Sequence, residues 1–299
     1  MDIVSELSAG LKRGDFLSIA RSLTFVENEF EYGNSLLKSI EINTSIPIIG
    51  ITGPPGAGKS TLVNALISCL VSLDKKIAVL AVDPTSPFNL GSLLGDRIRM
   101  GKHFNKKNVF IRSVATRGSV GGLSSKIIEM CDVLRASDFD LIIVETVGVG
   151  QSEIEVAGLA DHVIVVLVPE AGDEIQHMKS GLMEIGNAFV VNKADRDGAD
   201  TFANHLKKML HNRKVEIPVF KTIAETGGGI DKLLLWVLNL SVVDNDKKVL
   251  FYLEKAFRLI QNLRMQSLDK VKLRIAISEE ISKGNFNLHR FVDEFEGLY

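Results

Sequence analysis

Ile46-Pro47-Ile48-Ile49-Gly50-Ile51-Thr52-Gly53-Pro54-Pro55-Gly56-Ala57-Gly58-Lys59-Ser60 is an apolar run that breaks into a glycine-rich loop and ends on Lys-Ser. Residues 53–60 fit G-x-x-x-x-G-K-[ST]. The context is the one this phosphate-binding loop needs: an apolar strand before it, and after it a helical pattern through Leu62, Ala65, Leu66, Cys69 and Leu70. The spacing has a physical reason. Gly56 and Gly58 permit backbone conformations and close approaches that a side chain blocks. Loop N–H groups and the N-terminus of the helix then face the phosphates. Lys59 reaches the β and γ oxygens, and the Ser60 hydroxyl coordinates magnesium. The phosphate site is therefore expected to comprise Gly53, Pro54, Pro55, Gly56, Ala57, Gly58, Lys59, Ser60 and Thr61.

Outward from this loop, short β-branched runs alternate with longer helical patterns. The runs are Ile46–Ile51, Ile77–Val82, Val109–Val114, Leu141–Val144, Val163–Val168, Ala188–Val191 and Val219–Phe220. They are almost wholly apolar rather than alternating, which indicates strands covered on both faces. The expectation is an α/β fold: a doubly wound, mostly parallel sheet over residues 46–240. Residues 1–45 read as an amphipathic helical extension, with Leu7, Leu11, Phe16, Ile19, Leu23 and Val26 at helical spacing and a break at Gly14-Asp15. Residues 241–299 read as a helical arm. There Val249, Leu253, Phe257, Ile260 and Leu263 form an apolar stripe, which either packs on its own domain or makes a dimer contact.

Composition narrows the class. The 299 residues are 45% hydrophobic and 24% charged, the balance of a folded soluble chain. A formal net charge of -2 gives no general attraction to nucleic acid or to anionic membranes. The N-terminal residues, with Asp2 and Glu6, do not read as a signal peptide, and the apolar runs are too short to span a bilayer. Cys69 and Cys131 read as two buried free thiols without zinc spacing, as in a reducing cytoplasm. His162 and His177 read as ordinary polar residues, and six scattered histidines make no metal store.

The base is read further along. Asn192-Lys193-Ala194-Asp195 follows the run 188–191 and is an N-K-x-D guanine signature. A carboxylate at Asp195 accepts the N1–H and N2–H of guanine, which adenine does not offer. An unpaired buried carboxylate costs on the order of 1–3 kcal/mol or more, so ATP is rejected. Thr222-Ile223-Ala224 lies after the next run, where such proteins usually carry Ser-Ala; the Ala224 backbone N–H would meet guanine O6, while Ile223 stands in place of the serine. Leu141–Val144 leads into Glu145-Thr146-Val147-Gly148, an E-x-x-G in place of the commoner D-x-x-G. The acid would fix a magnesium water and the Gly148 N–H would sense the γ-phosphate. Asp83, before Pro84, reads by itself as a turn residue, and Asp96 as a partner of Arg97 or Arg99 on a solvated face.

Taken together, these motifs resemble the MeaB/ArgK GTPases, chaperones associated with methylmalonyl-CoA mutase. The residues that carry the resemblance are the loop 53–60; Ala81-Val82-Asp83-Pro84; Gly95-Asp96-Arg97-Ile98-Arg99-Met100; Thr116-Arg117-Gly118; Glu145 to Ser152; and Asn192 to Asp195, within residues 11–232. The resemblance implies GTP and GDP as ligands with Mg2+, and Ser60, Asp83, Asp96 and Glu145 around the metal, with Lys59, Asp96 and Glu145 serving hydrolysis. It implies a cytoplasmic homodimer that gates cobalamin loading and protection of an acyl-CoA mutase, with slow hydrolysis until a partner completes the site. Arg97, Arg99 and Arg117 are the arginine candidates. Residues 168–176 with Lys179 resemble the family's extra loop, except that Glu170-Ala171 depart from its Gly-x-Gly-Asp, and Asp173 and Lys179 also read as charges at a helix start. The competing reading is a GTP- or ATP-dependent kinase of a small molecule or a transport protein, for which no acceptor motif stands out.

Overall fold

The computed structural model describes residues 2–83, 101–103, 105–115, 126–146, 152–172, 182–211, 216–242, 246–265 and 268–295. The apolar runs become seven strands: β1 (Ile48–Thr52), β2 (Ile77–Asp83), β3 (Val109–Ala115), β4 (Leu141–Glu145), β5 (His162–Leu167), β6 (Ala188–Val191) and β7 (Val219–Lys221). They form one sheet in the order β3-β2-β4-β1-β5-β6-β7. Every neighbouring pair is parallel, so the sheet expected to be mostly parallel is wholly so among the described residues. Burial explains the unbroken apolar runs. β1, β4, β5 and β6 are buried at every position, whereas the edges β3 and β7 are only partly so. β1 lies between β4 and β5. The chain leaves it toward one edge and returns to the other, and ligands of open α/β sheets bind outside the strand ends at such a switch point.

Helix α4 (Lys59–Ser72) follows β1 and buries Leu62, Val63, Leu66, Ile67 and Leu70. They join Ile49, Ile51, Val79 and Ile143 in the core. Before β1 stand α1 (Ile3–Lys12), α2 (Phe16–Glu27) and α3 (Glu31–Ser39). The expected break falls between α1 and α2: Gly14 takes φ 68°, and Asp15 caps α2 by accepting from the Ser18 N–H at 2.9 Å. The stripe Leu7, Leu11, Ile19, Leu23 and Val26 is buried as its spacing implies. Phe16 is half-buried and packs edge-on against Phe110 of β3, with ring centroids 5.5 Å apart. Arg112 of β3 pairs with Glu27 of α2 at 2.6 Å. These helices share one compact unit, Met1–Lys248, with the sheet.

Strand β1 starts two residues later than its apolar run. Pro47 offers no N–H to a ladder, and the Ile46 carbonyl accepts from Arg135 Nε at 3.0 Å. Arg135 ends helix α5 (Ile127–Arg135) and pairs with Asp161 at 2.6 Å, both side chains almost fully buried. The same carboxylate accepts the Ile48 N–H at 2.7 Å, so one buried ion pair fixes where β1 begins. Cys131 is buried as expected, but Cys69 is only half-buried on α4. His162 is buried, with Nε2 2.7 Å from the Ser241 carbonyl, a structural role.

The sheet unit is completed by α6 (Ser152–Leu159), α7 (Leu182–Ile185), α8 (Ala199–Leu210) and α9 (Ile230–Leu238). A second unit, Val249–Tyr299, holds most of α10 (Asp246–Met265), together with α11 (Lys270–Ser282) and α12 (Leu288–Glu294). Asp269 and Asn287 cap the last two. The stripe predicted on α10 is exposed: Val249, Leu253, Phe257 and Leu263 each keep more than half of their surface open. No described helix is long and apolar enough to cross a membrane.

Candidate functional site

The loop between β1 and α4 sits at the carboxyl ends of the central strands. Its first glycine is dictated by space: Gly53 has φ 141°, and a Cβ there would stand 2.0 Å from the Val166 carbonyl oxygen of β5. Gly58, at φ 86°, caps α4 and lies so close to Asn192 that a Cβ would meet its amide nitrogen at 2.4 Å. Behind the loop, Lys59 is buried, with Nζ donating to the Gly53 carbonyl at 2.9 Å and the Pro54 carbonyl at 3.1 Å. Ala57 is buried, and Pro55, Gly56 and Thr61 face solvent. The N-terminus of a 14-residue helix thus opens onto the loop beside an ammonium, an arrangement that favours a polyanion.

Ser60 and Glu145, 85 positions apart, meet here. The Ser60 hydroxyl donates to Glu145 Oε1 at 2.6 Å, and both are buried. Glu145 ends β4 and lies in register with Ile51 of β1 and Ala81 of β2. Thr146 follows it, donating its N–H to the Ile51 carbonyl at 3.0 Å and its hydroxyl to Thr52 at 3.0 Å. A hydroxyl and a carboxylate are the hard oxygen donors magnesium takes, directly or through water, so this pair fits that ion. Asp83 stands at the end of β2, next to β4, but its side chain is outside the described residues. Asp96, Gly148, Arg97, Arg99, Arg117, Asp173, His177 and Lys179 also lie outside them.

The base side is built on Asn192, which is buried at the end of β6. Its Nδ2 donates to the Ala57 carbonyl at 2.9 Å. Its Oδ1 accepts from the Thr222 hydroxyl and from the Ala224 N–H, each at 3.1 Å. One amide therefore ties the phosphate loop to the segment after β7. Lys193, at φ 55°, sends its ammonium to the Gly56 carbonyl at 2.9 Å, a second tie to the loop. The Ala194 N–H reaches the Thr222 carbonyl at 3.0 Å. Asp195 is exposed at the tip of this turn, where a ligand can reach its carboxylate.

The structure thus brings together the loop 53–60, Glu145, the turn 192–195 and Ala224. One role was missed, that of Thr222. The loop-supporting hydroxyl expected from a serine at position 223 comes from Thr222, one position earlier. Ala224 uses its N–H on Asn192, an anchoring bond that the expected base contact has to share. Thr222 was discernible in principle: a hydroxyl residue directly after the strand Val219–Lys221.

Fold and site define a class: a P-loop protein of the GTPase kind, with a guanine-type turn at the switch point of a parallel sheet. The chain belongs to the family described as methylmalonyl Co-A mutase-associated GTPase MeaB, whose sequence model matches residues 19–274. The match runs past residue 232, the end of the stretch over which the resemblance was read from the sequence, into α10 and α11. A protein of Pyrococcus horikoshii named as a GTPase is 43% identical over 284 residues, 92% of this chain and 87% of that one. The mouse methylmalonic aciduria type A homolog, a mitochondrial protein, is 36% identical over 209 residues, 65% of this chain and 50% of its own. Among solved structures, one described as an LAO/AO transport system kinase superposes with a TM-score of 0.66. It covers 97% of this chain and 95% of its own at 24% identity, a likeness of fold.

Proposed function

We propose that this chain binds GTP with magnesium and hydrolyses it slowly on its own. We infer further that it uses this cycle as a chaperone, gating cofactor loading and protection of a cobalamin-dependent acyl-CoA mutase. The observation that carries the nucleotide reading is Asn192, whose amide joins the phosphate loop to the base-side turn at 2.9 and 3.1 Å. Two motifs 135 residues apart are thereby tied together, which supports Lys59 at the phosphate end and Asp195 at the base end of one site.

Phosphoryl transfer of this kind needs positioning and charge neutralisation more than covalent chemistry. Lys59, held by two loop carbonyls, supplies a fixed cation at the helix N-terminus. Ser60 and Glu145 would hold magnesium, Ser60 directly and Glu145 through a water, with Asp83 and Asp96 joining them on sequence grounds. Bound there, the ion would neutralise phosphate charge. Glu145 or Asp96 would orient the attacking water. A partner or a second copy would supply the remaining cation, which keeps unassisted turnover slow.

The mutase reading is supported by the family's description and by the methylmalonic aciduria homolog. A pull-down from native extract, with and without a non-hydrolysable GTP analogue, tests it. The expected result is a cobalamin mutase subunit whose capture depends on the analogue. Capture of no mutase, with phosphate instead appearing on an added amino acid or transport protein, would replace this reading with a kinase.

A further inference from the structure

The base-side turn has an anchor that the guanine motif does not require. Arg196, the residue after Asp195, donates from Nη1 to Glu170 Oε1. Glu170 belongs to the 3-10 turn Pro169–Gly172, which follows β5. The Arg196 N–H also closes its own turn on the Lys193 carbonyl at 3.0 Å. Lys193 is tied to the phosphate loop and Ala194 to Thr222, as described above. The carboxylate of Asp195 is exposed, and the backbone that carries it is placed by the residues on either side. On the near side these are fixed by the phosphate loop and by Thr222, just after β7; on the far side by Glu170. The Glu170 carboxyl is held below the usual carboxylate range, first by the Arg196 hydrogen bond, with the Arg196 and Lys193 charges adding to it. Glu170 thus stays ionised at neutral pH beside the Arg196 cation of the turn that carries Asp195. It is also where this chain departs from the pattern it resembles.

We propose that Glu170 and Arg196 are positioning residues that hold Asp195 in its base-binding direction and so set how long guanine nucleotide stays bound. The proposal rests on the guanine reading above. The pair is about half exposed on each side, and exposed pairs shift equilibria by up to about fivefold. Stopped-flow release of a fluorescent GDP from the full chain measures this. Glu170→Gln and Arg196→Gln should each speed release by about two- to fivefold, and the change in GTP hydrolysis should fall on KM rather than kcat. The swap Glu170→Arg with Arg196→Glu should restore slow release. The effect should fade at about 1 M salt, where charges are screened within ~3 Å. Unchanged release in both single variants, or a swap that releases faster than either, overturns the proposal. Asp195→Asn, run alongside, separates two failures. If it loses guanine preference while Glu170→Gln releases normally, only the ion pair's role falls. If it keeps that preference, the guanine reading falls and the proposal with it.

Discussion

Asn192 shows what a motif residue does beyond its motif. The sequence marks it as part of a guanine signature, but its buried amide contacts the Ala57 carbonyl, the Thr222 hydroxyl and the Ala224 N–H. The Ser60–Glu145 bond was legible because both residues belong to motifs whose chemistry shares a magnesium ion. The Thr222 contact was missed, because the hydroxyl arrives from a neighbouring position to the one where a serine is usual. Thr222→Val removes one of two donors to the Asn192 oxygen, a net loss of about 0.5–1.5 kcal/mol. GTP affinity should fall by about two- to twelvefold, measured by calorimetric titration, and Thr222→Ser should regain most of it. Equal affinity in Thr222→Val would mean the Ala224 donor suffices.

Strands were the most readable elements, because a strand buried on both faces writes itself as an unbroken apolar run. Ala188–Val191 has the bounds its run has, and β1 differs because a proline and an arginine intervene at its start. That intervention had no local signature. Arg135 and Asp161 are 26 residues apart on different elements, and nothing periodic links them. Their pair lies at the amino end of β1, whereas the loop of the candidate site leaves its carboxyl end. Asp161→Asn leaves the Arg135 guanidinium buried without its charge partner. It should cost about 3–5 kcal/mol in denaturant unfolding. Nucleotide affinity of the folded fraction should be nearly unchanged; a large loss would place this pair in the binding machinery.

At the scale of the whole molecule, the chain divides into a sheet unit and a short helical unit. The sheet unit was readable throughout its described core, since periodicity and motif context agree there. The helical unit was readable only as helix plus stripe, because a stripe does not say what covers it. Phe257 is 63% exposed and Val249 69% exposed, apolar surface of the kind that marks a contact site. If the stripe is a contact between copies, the wild type should run as a dimer in light scattering and the variant with Leu253→Glu and Phe257→Glu as a monomer; a monomeric wild type, or a dimer unchanged in the variant, would remove the stripe from such a contact. In the sheet unit, the loop 53–60 and the turn 192–195 are proposed to form one guanine site. Equilibrium binding of GTP and ATP to the wild type and to Asp195→Asn tests it most directly. The wild type should prefer GTP by at least about 100-fold, and the variant should lose about 5- to 150-fold in GTP affinity with its fold intact. Equal binding of ATP by the wild type, or undiminished GTP binding by the variant, would contradict the account.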